Sequence, residues 1–154
     1  MTPPVRTRAL FVVAAFAASL VMGLVLIVAF DADVQTIDAG ELVERKDDAR
    51  AFLIADYLFI VLYAIVSPIA QRRFGPTGWL RWAPFLLAAA GVVDAAENTL
   101  LLTATDSISE DTVDAAHALA LPKVVLFVAG ALLAVGILVR AIRVLREPAA
   151  DAGA

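Results

Sequence analysis

Apolar and polar positions fall into long alternating blocks along this chain. Residues 9–30 carry no charge over 22 positions, and a helix crossing a bilayer needs about 20. A polar, acidic block follows over residues 31–50. The next apolar block, 51–70, is broken by a single charge, Asp56. A basic and aromatic segment from Gln71 to Trp82 leads into a third apolar block, 83–103. An Asp- and Ser-rich stretch separates that from a fourth, 115–139. The pattern predicts one membrane domain with an all-α fold, a four-helix antiparallel transmembrane bundle.

Local signals refine the boundaries. Asp38 followed by Glu41 reads as a capping box, and Glu41 with Arg45 as an i, i+4 pair. These predict that the outer loop 31–50 is partly helical, with a helix starting near Ala39 and running into the second span. Pro68 is expected to kink or end that span. Gly75-Pro76 and Thr77-Gly78 mark a turn, and Pro84 suits a first helical turn. Ser107 with Glu110 is a second capping-box candidate. The last helix is expected to run on to Arg146, leaving the Ala-rich tail 147–154 disordered.

Composition supports the membrane reading. The chain is 62% hydrophobic, against about 45–50% apolar for a soluble domain, and its mean hydropathy is +0.87. It has no cysteine, which removes disulfides, thiolate metal sites and Cys nucleophiles. A net charge of −4 argues against nucleic acid, which needs a basic footprint. Arg6 and Arg8 before the first block suit a signal peptide. The apolar run, however, exceeds the ~7–15 residues of a signal core, and no A-x-A cleavage site follows. It is read as an uncleaved span.

Charge also orients the bundle. Eight basic residues (Arg6, Arg8, Arg72, Arg73, Arg81, Arg140, Arg143, Arg146) fall on one side, and Arg45, Lys46 and Arg50 on the other. The positive-inside rule then places both termini in the cytoplasm, as a multi-pass protein of the cell (inner) membrane. Ten of the twelve basic residues are Arg, which with the many alanines suggests a GC-rich bacterial genome. The outer loops carry eleven acids.

The candidate chemistry lies inside the spans. Asp94, Glu97 and Asn98 are spaced i, i+3, i+4 and share a helix face. A charge at the centre of an inserted helix costs about 2.5–3.5 kcal/mol on insertion scales. Asp56, Tyr63 and Ser67 form a stripe on the second span, and the fourth holds Lys123 just after Pro122. At about 1.5 Å per residue, Asp56, the Asp94 group and Lys123 all fall roughly 9–16 Å below the outer surface. Three helices thus place polar groups in one outer-leaflet layer, where they can satisfy one another. The candidate ligand- or proton-binding set is Asp56, Asp94, Glu97, Asn98, Lys123 and Tyr63. His117 and Tyr57 are rim candidates.

If all ionise, three carboxylates and one ammonium sum to −2, which calls for a proton, a bound cation or water. The first reading is therefore a membrane protein that binds or conducts a proton, cation or small ligand. A complete transporter of this size would need a homodimer, with the small-residue stripe Ala15, Ser19, Gly23 as candidate interface. The alternative is a structural protein whose cluster locks the bundle. A second alternative is an intramembrane enzyme acting on a lipid or isoprenoid-like substrate, but no nucleophile or cofactor motif accompanies the carboxylates. A metal on Asp56, Asp94 and Glu97 is a further alternative, opposed by Lys123 competing for the same oxygens. No cofactor is expected.

Asp56-Tyr57-Leu58-Phe59, Asp94-Ala95-Ala96-Glu97-Asn98 and Ala120-Leu121-Pro122-Lys123 together resemble a family of small bacterial membrane proteins with four spans. The resemblance covers the three polar helices and leaves the first helix and outer loop unmatched. It implies the four-span fold and brings no activity with it.

Overall fold

The computed structural model describes residues 4–29, 44–106 and 110–147. The predicted helix start near Ala39, the caps at Asp38 and Ser107 and the tail beyond Glu147 lie outside those residues. Four long helices pack against one another: α1 (Val5–Ala29), α2 (Lys46–Phe74), α3 (Ala83–Ala104) and α4 (Glu110–Arg146). All four are long and apolar enough to cross a membrane. Neighbours along the chain run antiparallel. Arg6 near the start of α1 donates to the Leu145 and Glu147 carbonyls at the end of α4, so the described ends of the chain meet at one end of the bundle.

Of the two outcomes expected at Pro68, a kink or an end, the helix does not end there. The helix passes into a π-helical stretch at Val61–Val66 and returns to α-helix at Ser67–Phe74. The Ser67 N–H donates to the Leu62 carbonyl, five residues back. Proline has no N–H and its ring crowds the carbonyl four residues earlier, here that of Ala64. The wider π turn supplies the room and re-pairs the ladder. The helix stops instead at Gly75, whose φ of +80° a side chain would oppose. A short 3₁₀ turn, Gly78–Trp82, then leads into α3.

At this end arginines complete the helix termini. Arg6 and Arg8 donate to the last carbonyls of α4 and α2, which the helix dipole also favours. Arg72 lies over Phe85, and Arg140 over Phe74. At the opposite end Asp106, just past α3, accepts from both Lys46 and Arg50 on α2.

Between the two ends lie two separate apolar cores. One, toward the arginine end, joins Val12 and Ala15 of α1, Ile60 and Ala64 of α2, Leu87 and Ala90 of α3, and Ala134 and Ile137 of α4. The other, toward Asp106, joins Leu26, Phe52, Leu53, Leu101, Val113 and Ala116. Helix α3 packs most extensively on α4, through close approaches such as Leu87 on Gly130. Gly91 faces Ala64 so closely that an added methyl would overlap it. In the Ala15, Ser19, Gly23 stripe, the candidate interface for a second copy, Ala15 is buried in the core, while Ser19 and Gly23 are half-buried. The Ser19 hydroxyl turns back to the Ala15 carbonyl, and Gly23 lies against the ring of Phe59.

Candidate functional site

Every helix interrupts its apolar face at the same level. On α2 the gap between Leu53 and Ile60 holds Asp56. On α3 the gap between Ala90 and Leu101 holds Asp94, Glu97 and Asn98. On α4 the gap between Ala116 and Ala134 holds Lys123. On α1 no residue between Ala15 and Leu26 is fully buried, and Gly23 lies against Phe59. The layer inferred from depth along the sequence is therefore a physical layer between two apolar cores.

Within it, Lys123 Nζ lies 2.7 Å from Glu97 Oε2 and 3.3 Å from Asp94 Oδ1. The ammonium thus ties α4 to two turns of α3. Tyr63 Oη donates to Asp94 Oδ2 at 2.7 Å. Asn98 Nδ2 donates to Asp56 Oδ2 at 2.8 Å. Glu97 and Asn98 are 0% exposed, Asp56 is 5% and Lys123 8%. Asp56 makes no ion pair among the described residues. Glu97 Oε1 and Asn98 Oδ1 are buried without a hydrogen-bond partner.

Of the predicted set, the structure brings Asp56, Asp94, Glu97, Asn98, Lys123 and Tyr63 together. Tyr57 is not in the layer. Its hydroxyl meets Thr99 at 2.8 Å and the Ala95 carbonyl on the outer side of α3. His117 is half-buried, with Nε2 enclosed and unpaired, two turns above Lys123. Among the described residues no group of three or more His, Asp or Glu side chains is arranged to hold a metal ion. The carboxylates that would form one are divided between Lys123 and Asn98.

The layer borders a cavity on the α1 side. This cavity of about 280 Å³ between α1, α2 and α4 is lined by Asp56, Asp94 and Lys123, with Phe52, Phe59, Tyr63 and Phe127 as walls. Glu97 and Asn98 do not line it. A second cavity of about 220 Å³ adjoins it toward the arginine end and is almost wholly apolar, with Ser19 and Ser67 the exceptions apart from Tyr63. The two share Gly23, Ile27, Phe59, Tyr63 and Phe127. The three aromatic rings are in contact, the Phe59–Tyr63 centroids at 4.9 Å and Tyr63–Phe127 edge-on at 5.1 Å.

Sequence reasoning missed Gln71. It precedes two arginines and reads as an interface residue, yet it is buried and donates to Ser67 Oγ at 2.9 Å. Its i, i+4 spacing from Ser67 was the available signal. Phe59 and Phe127 were also missed as cavity walls, because aromatics in an apolar span carry no local mark. No protein-family model, curated protein or solved structure matches the chain.

Proposed function

We propose that this is a multi-pass membrane protein, both termini cytoplasmic, that binds a proton or a small cation at Asp56 in the outer-leaflet half of its bundle. One observation carries the reading: Asp56 lines a cavity in an apolar interior and has an amide, not a cation, as its partner. An ionised carboxylate so placed is costly until a proton or a cation neutralises it. Asp94 borders the same cavity and shares its charge with Lys123. The eleven acids of the loops assigned to the outer face favour cation approach from that side.

A second reading, a polar clamp, draws on Glu97. It is wholly enclosed and bound to Lys123 away from the cavity. That half of the layer fixes α3 on α4 whatever the other half does.

Thermal unfolding of the full-length protein in non-ionic detergent separates the two readings. The range is about pH 5 to 9, on either side of neutrality, with sodium, potassium and divalent cations added in turn. A pH step or a cation is expected to raise the wild-type melting temperature, and Asp56→Asn is expected to remove that response while still folding. If the wild type ignores every condition and Asp56→Asn merely melts lower, the layer is a clamp and the binding reading is lost.

A further inference from the structure

The cavity beside Asp56 shares five lining residues with the second cavity. Its inner wall is the aromatic group Phe59, Tyr63 and Phe127, and the same rings bound the second cavity. Gly23 of α1 faces Phe59 across the junction. So a charged end and an apolar end lie side by side along one wall of α1, and they meet where α1 has no side chain.

The charge at the polar end has a definite sign. Lys123 is held between Asp94 and Glu97, so its ammonium is already met by two carboxylates. Asp56 makes no ion pair among the described residues; its hydrogen bond comes from Asn98, and Lys123, on the same cavity, acts on it from farther away. An anionic head would face two carboxylates for one committed ammonium. A cationic head meets a carboxylate and, around it, the faces and edges of Phe52, Phe59, Tyr63 and Phe127, a setting that suits ammonium groups with apolar substituents. The adjoining cavity supplies apolar surface for a body larger than a metal ion.

We infer that the two cavities form one binding site for a monovalent organic cation with an apolar body, its ammonium at Asp56 and its hydrocarbon part across the Phe59–Tyr63–Phe127 wall beside Gly23. This rests on the proposed cation site at Asp56 and names the ligand class for it. It also gives α1 a role. That helix contributes no charged group to the layer, and it forms the outer wall of both cavities through Gly23 and Ile27.

The test is calorimetric binding of a series from tetramethylammonium to hexyltrimethylammonium, with hexanoate as the anion of like length, to the full-length protein in non-ionic detergent. Affinity is expected to rise with chain length, at most roughly fourfold per methylene buried. Hexanoate is expected not to compete. Asp56→Asn should weaken every member by on the order of tenfold or more, the usual effect of losing a charged partner. Ala131→Leu, in the second cavity alone, should flatten the chain-length series while leaving tetramethylammonium bound, and Ser19→Leu, also in that cavity alone, serves the same purpose if Ala131→Leu fails to fold. Hexanoate binding as tightly as hexyltrimethylammonium overturns the charge assignment. A flat wild-type series overturns the joined site. If that flat series is found while Asp56→Asn still removes the pH or metal-cation response in melting, only this inference falls. If that response is also absent, the cation site falls with it.

Discussion

At Glu97 the polar layer is closed, and at Asp56 it is open. Glu97 sits between α3 and α4 with an ammonium 2.7 Å away and no exposed surface. Asp56 sits on α2 with an amide partner and a cavity in front of it. Both are carboxylates at the same level of the same bundle. The difference comes from their neighbours. Helices α3 and α4 approach closely through small residues such as Gly130, and Lys123 fills the space at the level of Glu97. Helix α1 buries side chains near both of its ends and leaves those between them half-buried or exposed, and a cavity lies between it and α2 there. Ion pairing in one half and solvation or ligand in the other are two ways to meet the same desolvation cost.

The largest effect is expected on the closed side. Lys123→Met leaves Asp94 and Glu97 facing each other without a cation, and removing one partner of a buried pair costs about 3–5 kcal/mol. Chemical unfolding in mixed detergent micelles measures it. Asp56→Asn, on the open side, keeps the Asn98 neighbour and removes a charge that has no ion pair. It should change stability by less than about 1 kcal/mol, the scale of one neutral hydrogen bond. Equal losses in the two variants would abolish the distinction between the halves.

Gly91→Ala comes next. The added methyl meets Ala64 in the π-helical stretch, and overpacking of this kind costs about 1–3 kcal/mol. If α2 is pushed from α3, Asp56 loses Asn98, so the cation response should weaken along with stability. A variant that loses stability and keeps the full response would show that the α2–α3 spacing does not set the open half. Tyr63→Phe should cost about 0.5–1.5 kcal/mol for its bond to Asp94. It keeps the ring that walls the cavities, so apolar-ligand affinity should survive while the pH response shifts. Loss of both would show that the hydroxyl, not the ring, shapes the site.

The smallest effect concerns the exposed latch. Asp106 is held below its ordinary value of 3.8 first by the hydrogen bond from Lys46 and then by the charge of Arg50. A carboxylate with a lowered folded-state value stabilises the fold above its unfolded value and loses that contribution as pH falls through the folded one. The latch is therefore complete above about the ordinary value and fails only in more acid solution. Melting of Asp106→Asn against wild type should differ slightly at neutral pH, less in high salt, and not at all once the latch is protonated. A response of Asp106→Asn to the cations that act at Asp56 would mean that the two regions are not independent.

Much of this was legible in the chain. Four charge-poor blocks fixed the number of helices, because backbone groups in a bilayer must pair within a helix. The i, i+3, i+4 spacing of Asp94, Glu97 and Asn98 put them on one face. Constant rise per residue put Asp56 and Lys123 at their level. One local rule gave way: Pro68 did not stop α2, because a π turn in the same helix absorbed it. That Gly23 of the small-residue stripe meets Phe59 of α2 was not legible in either helix alone.

What the sequence determined alone was a set of polar groups on three helices at one depth, since composition, period and rise are properties of the chain itself. Which carboxylate received Lys123 and which received a cavity was decided only when the helices packed. That depends on interhelical distance, set by which small residues meet which large ones across the bundle, and no one helix contains it.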